Sequence, residues 1–349
     1  MDEIGLLMMM GVMLLLSFGL SAGACAVLLP LLRKLKAGQS IREEGPKSHQ
    51  VKAGTPTMGG LSFVIAFCVI FLVGSFFICK NKNAAAFGLY FGKDAVFIAI
   101  MTLIYAGIGF LDDFIKVVKK RNLGLTAKQK IALQIIAAVV AAIYGGLFSA
   151  SGTTVYIPFA RIYVDFGWFY YPFVVFMVLA MTNAVNLTDG LDGLAGSVTS
   201  VVCIVMSACC IFLRGNIYAP GAVTRSRFEA ATAAMCLCGA IIGFLLFNLH
   251  PAKVFMGDTG SLALGGSLAA IAIVSGKEFI LPLAGLIYVI EALSVIIQVF
   301  VFKTQNGRRF FRMAPIHHHF ELGGMHEESV VWMFTGITIV LGILVLIFA

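Results

Sequence analysis

Long stretches of this chain carry no Asp, Glu, Lys or Arg, and that absence constrains the fold more than any motif does. Charge-free stretches occupy residues 4–32, 53–79, 95–111, 131–160, 166–188, 193–213, 230–252, 259–276 and 329–349; a tenth, 279–302, is broken once, by Glu291. Each is near or above the ~20 residues that a helix needs to cross ~30 Å of hydrocarbon, and the fourth is long enough to include a loop at its end. With 60% hydrophobic and only 12% charged residues, the chain cannot cover a water-facing sphere. The expected fold is an all-α integral membrane protein of ten transmembrane helices, forming one domain over residues 1–349.

Ten spans put both termini on one side. Arg33, Lys34, Lys36, Arg42, Lys47, Lys52, Lys116, Lys119, Lys120, Arg121, Lys128, Lys130, Lys253, Lys303, Arg308, Arg309 and Arg312 all fall in loops after odd-numbered spans. The positive-inside rule makes that face cytoplasmic and leaves both termini outside. The first span opens on Asp2 and Glu3 rather than on a basic segment, so it reads as a retained helix and not a secretory signal. The same asymmetry accounts for the net charge of +8 through anionic lipid head groups, with no need for nucleic acid. Eight cysteines without a CxxC read as small apolar packing residues. Alternation in residues 153–165 predicts a hairpin covering the outer face.

Almost every cluster of carboxylate, amide and imidazole falls at the cytoplasmic end of a span. Asp112-Asp113 closes the third, with Lys116 one turn on; two adjacent carboxylates suit a divalent cation or a proton, and a solvated helix end salted by Lys116 would also explain them. Residues 183–194, Asn-Ala-Val-Asn-Leu-Thr-Asp-Gly-Leu-Asp-Gly-Leu, place Asn186, Asp189 and Asp192 three residues apart with glycines after both acids. That is more polarity than a plain turn between helices requires. Phe255-Met-Gly-Asp-Thr-Gly-Ser sets Asp258 between two glycines at the start of the eighth span. The N–H groups of that helix end are expected to face phosphate, although Thr259 or Ser261 could simply cap it.

The triplet His317-His318-His319 lies behind Arg308, Arg309 and Arg312. Consecutive histidines do not converge readily on one tetrahedral metal, so phosphate binding or proton donation is preferred to zinc. Lys52, Lys116 and Lys130 are available for phosphate, or serve as ordinary positive-inside anchors. Glu291, costly in hydrocarbon, is expected to line a polar groove. Acids for a hard cation and cations for phosphate, together at a membrane surface, point to magnesium-assisted phosphoryl chemistry.

In this order and over essentially the whole chain, these motifs resemble the polyprenyl-phosphate sugar-1-phosphate transferases. Lys-Ala-Gly-Thr-Pro-Thr-Met-Gly-Gly and Pro-Ile-His-His-His-Phe-Glu are similar to the phospho-N-acetylmuramoyl-pentapeptide transferase branch of bacterial cell-wall synthesis. The resemblance implies attack by undecaprenyl phosphate on UDP-N-acetylmuramoyl-pentapeptide at the bacterial inner membrane, with periplasmic termini, a cytoplasmic active site and a magnesium requirement. It implies that Asp258 ligates magnesium and that Asp112 deprotonates or positions the lipid phosphate, with Asp113 beside it. Asn186, Asp189, Asp192 and Asn248 would shape the nucleotide and diphosphate pocket, with Phe255 and Gln298 near the uracil. Lys52, Lys116, Lys130, His317 and His318 would hold phosphates or the sugar-peptide. A related N-acetylglucosamine-1-phosphate transferase and a transporter remain as alternatives, and a homodimer is left open.

Overall fold

The computed structural model describes residues 3–35, 54–80, 92–119, 123–213 and 220–348. In chain order the helices are α1 (Glu3–Lys34), α2 (Gly60–Lys80), α3 (Lys93–Lys119), α4 (Ala127–Phe148), α5 (Tyr170–Thr188), α6 (Leu194–Phe212), α7 (Pro220–Asn248), α8 (Gly257–Ser275), α9 (Ile280–Ala284), α10 (Leu286–Thr304), α11 (Ile316–Glu321) and α12 (Glu327–Phe348). Among the described residues nine helices are long and apolar enough to cross a membrane; the remaining expected span is α2, a shorter apolar helix over Gly60–Phe76. The chain is a multi-pass, helical membrane protein. Two features were not legible as spans: the stretch 279–302 breaks at Gly285 into α9 and α10, and the histidine triplet lies in a short helix of its own, α11.

The bundle is organised around α8. Every residue from Thr259 to Ser275 is buried, with α3, α5, α7 and α2 packed around the helix. Its sequence explains this: Gly, Ala and Ser at most positions let neighbouring backbones approach, which in lipid replaces the hydrophobic drive. Ser267 and Thr102 of α3 share a 2.8 Å hydroxyl contact across that interface. The tightest approach of a neighbouring helix to α8 is at Gly109 of α3, where a Cβ would stand 2.1 Å from the carbonyl oxygen of Asp258. Only glycine lets α3 lie that close, and its carboxylates follow within one turn.

The expected hairpin is present as an antiparallel pair, β1 (Thr154–Ile157) and β2 (Ile162–Asp165). It closes the end of the bundle opposite the polar clusters. Lys277, fully buried between α8 and α9, holds its ammonium 3.9 Å from the ring centre of Tyr156, and Tyr170 donates to Glu278 at 3.1 Å. Burial pushes the Glu278 carboxyl up to about 8 and the Lys277 ammonium down to about 8.

Candidate active site

The C-terminal ends of α3, α5, α7 and α10 and the N-terminal ends of α4, α6, α8 and α12 share one end of the bundle. Asp112 and Asp113 are not a solvated helix end: α3 continues six residues beyond them, and they are 3% and 2% exposed. Buried carboxylates need partners, and each has its own. Asp112 accepts from the Leu125 amide at 2.8 Å through Oδ1, and its Oδ2 is 2.6 Å from Lys116 Nζ. Asp113 takes the first amides of α8, accepting from Asp258 N at 3.2 Å, Thr259 N at 2.9 Å and the Thr259 hydroxyl at 2.7 Å.

That capping corrects the expectation that this helix end faces phosphate. Its leading N–H groups are already used by a carboxylate from α3, so the helix dipole holds Asp113. Neither Thr259 nor Ser261 caps the helix with its own side chain; Thr259 reaches out to Asp113, and Ser261 accepts from Asn186 at 2.7 Å.

Asp258 lies at the centre. Its Oδ2 is 3.0 Å from Lys116 Nζ and 2.9 Å from Lys130 Nζ, and its Oδ1 accepts from the Asn186 amide at 2.9 Å. Carboxylate oxygens of Asp112, Asp113 and Asp258 lie within 4.8 Å of one another. Helices α3, α4, α5 and α8 therefore meet through six side chains, Asp112, Asp113 and Lys116 from α3, Lys130 from α4, Asn186 from α5 and Asp258 from α8. Asp189, in the turn after α5, is a neighbour: burial, then the negative charges of Asp258, Asp113 and Asp192, raise its carboxyl above the usual range.

The histidines divide rather than converge. His317 is fully buried with Nδ1 3.1 Å from Glu291 Oε1, so Glu291 faces protein as a partner for imidazole rather than lining an open groove. His318 pairs with Glu321 at 2.7 Å, and His319 accepts from the Arg312 amide at 3.1 Å. Nε2 of His317 has no hydrogen-bond partner among the described residues and faces Gly190, where a Cβ would stand 2.2 Å away. His317 thereby reaches the same α5–α6 turn that carries Asp189.

Other expected site residues lie around this centre. Asp192 accepts from the Ala252 amide at 3.0 Å. Asn248 is buried and donates to the Val254 carbonyl at 2.9 Å, closing the loop between α7 and α8. Phe255, half-buried, exchanges backbone bonds with Pro56 and Gly59. Gln298 is committed to the loop after α10, accepting from Phe310 and Phe311 amides at 3.1 and 2.9 Å and donating to the Phe311 carbonyl at 3.2 Å. Lys52 lies outside the described residues. Sequence reasoning gave Thr259 and Ser261 only as possible caps and not as partners of Asp113 and Asn186, and it missed Gly109, whose only signal was a glycine in an apolar run.

The sequence profile of glycosyl transferase family 4 matches residues 95–276, and phospho-N-acetylmuramoyl-pentapeptide-transferase signature 1 matches residues 52–64. The chain is 47% identical over 322 residues to a phospho-N-acetylmuramoyl-pentapeptide-transferase of Halalkalibacterium halodurans, covering 92% of this chain and 91% of that one. It is 46% identical over 312 residues to the Listeria monocytogenes protein of that name, covering 89% of each. Over 342 residues it is 46% identical to the Bacillus thuringiensis one, covering 98% of this chain and 97% of the other.

Proposed function

Because this chain belongs to the phospho-N-acetylmuramoyl-pentapeptide transferases of glycosyl transferase family 4, we propose that it moves phospho-N-acetylmuramoyl-pentapeptide from its UDP-linked donor to undecaprenyl phosphate. The products are lipid I, an intermediate of peptidoglycan synthesis, and UMP. An oxygen of the lipid phosphate attacks the sugar-bearing phosphorus of the donor, and the bond from that phosphorus to the UMP oxygen breaks. The observation that carries the reading is one lysine shared by two acids: Lys116 Nζ is 2.6 Å from Asp112 Oδ2 and 3.0 Å from Asp258 Oδ2.

An anion approaching a diphosphate needs its charge screened more than it needs a strong base. Oxygen donors within 4.8 Å of one another fit a magnesium ion. Asp258, the most exposed of the three, would hold it. Bound there, magnesium would supply the positive charge that screens the two phosphate groups. Lys116 and Lys130, now on Asp258, are the groups to turn toward phosphate oxygens when substrate arrives. Asp112 positions the lipid phosphate and takes its proton, and Asn186 fixes the Asp258 carboxylate in rotation. His317, held by Glu291, faces the turn assigned to the nucleotide and diphosphate, with Asp189 and Asp192 in it.

The positive-inside pattern supports ten spans, periplasmic termini and a cytoplasmic site in the bacterial inner membrane. A homodimer would present two such sites. The test is UMP release by purified protein in detergent, with polyprenyl phosphate present or omitted and magnesium titrated. Release from UDP-N-acetylmuramoyl-pentapeptide that requires both supports the proposal. Release from UDP-N-acetylglucosamine instead would reassign the donor, and no release from either would point to transport.

A further inference from the structure

Near the cradle is a second junction that the reaction as described does not use. Glu327, at the first turn of α12, accepts from the Asp192 backbone amide at 2.6 Å through Oε1. Its Oε2 is 3.4 Å from His250 Nδ1, and the same nitrogen is 3.2 Å from Asp192 Oδ2. Asp192 also receives the Ala252 amide. Three segments that are remote in sequence meet here: the α5–α6 turn, the α7–α8 loop and the start of α12.

The consequence lies in what the segment from α11 to α12 does at its two ends. At one end His317 packs on Gly190; at the other Glu327 binds the amide of Asp192, two residues along the same turn. The segment therefore brackets the turn. Asp189, which senses the charges of Asp258 and Asp113, lies immediately before the bracketed residues. A turn fastened at 190 and 192 has little freedom to move its acids relative to the cradle.

Resting on the reading above, in which this turn shapes the donor's nucleotide and diphosphate pocket, we propose that Glu327 is a positioning residue for the donor site, assisted by His250. It fixes the α5–α6 turn through an acceptor oxygen placed at glutamate length, and it couples the register of that turn to the histidine helix. It touches no reacting atom. Its loss is felt as weaker capture of the UDP donor, whereas capture of the polyprenyl phosphate is spared.

Steady-state kinetics on the full chain in detergent, with each substrate varied in turn, tests this. E327A is expected to raise KM for the UDP donor about tenfold or more, the usual penalty for leaving a buried donor without its charged acceptor. KM for polyprenyl phosphate should stay within about twofold. E327Q, which keeps an oxygen at the same reach, should recover most of the loss, and E327D, which keeps the charge but falls short, should not. That ordering separates positioning from charge, and the E327Q and E327D pair carries the test alone should E327A not fold. An unchanged donor KM in E327A or E327D, or E327Q worse than E327D, overturns the proposal. If the wild type itself releases no UMP, the assigned reaction fails, and the Glu327 kinetics are then not what sank it.

Discussion

His317 Nδ1 lies 3.1 Å from Glu291 Oε1, and neither side chain is exposed. An isolated carboxylate or imidazolium in that setting would be costly, so the pair is maintained by mutual contact. The carboxylate orients the ring: with Nδ1 beside Glu291, Nε2 points toward Gly190 and the α5–α6 turn.

Removing the orienting carboxylate should therefore slow turnover without touching the acids of the cradle. E291A is expected to reduce kcat by roughly 10- to 100-fold, and E291Q, which retains an acceptor oxygen, by less. Rates of UMP release at saturating substrate check the ordering; E291A turning over like wild type would mean that the ring is oriented by other contacts.

Gly190 is a site where one methyl should matter. With 2.2 Å between its added Cβ and His317 Nε2, G190A must displace either the ring or the turn. A loss of about tenfold or more in kcat is expected, and G190A purified as well-folded protein with normal kinetics would show that the contact yields freely.

Asp258 binds two lysines and an amide in the described structure and is the proposed magnesium ligand. D258N should abolish turnover even at saturating magnesium, because an amide oxygen carries too little charge to replace a carboxylate at a hard cation. UMP release by D258N near the normal rate would remove the metal assignment.

Adjacent acids should separate by stability. Asp113 satisfies three donors at the start of the central helix, whereas Asp112 satisfies one amide and shares a lysine. D113A is expected to lose roughly 1–3 kcal/mol of folding stability in addition to activity, and to melt below D112A in the same detergent. Equal melting of the two variants would contradict the capping role.

At the opposite end, stability should depend on pH through Glu278. The folded chain retains a proton there up to about 8, whereas the unfolded chain releases it near 4.5. Folding therefore weakens as pH climbs through that window and the loss is complete above it. E278Q keeps an acceptor for the Tyr170 hydroxyl and removes the ionisation. It should melt close to wild type at pH 5 and roughly 2 °C or more above it at pH 8.5; identical melting at both values would show Glu278 uncoupled from folding.

Residue order alone determined the membrane class and most of the helices, because hydrocarbon penalises charge so heavily that apolar runs mark spans almost without context. It also named Asp112, Asp113, Asp258, Asn186, Lys116 and Lys130 as polar residues at span ends, since such residues survive beside a bilayer only for a reason. Tertiary structure decided what each one does. Asp113 became a cap and Asp112 a partner of lysine, a division that two neighbouring letters cannot express, because it depends on Gly109 letting α3 lie against the start of α8. The break at Gly285, the commitment of Gln298 to a loop backbone and the joint of Glu327 with Asp192 were equally hidden. The Glu327 joint spans 135 residues, and the Gln298 contacts, 12 and 13 residues apart, depend on how the chain folds back after α10, whereas periodicity and composition carry only local information.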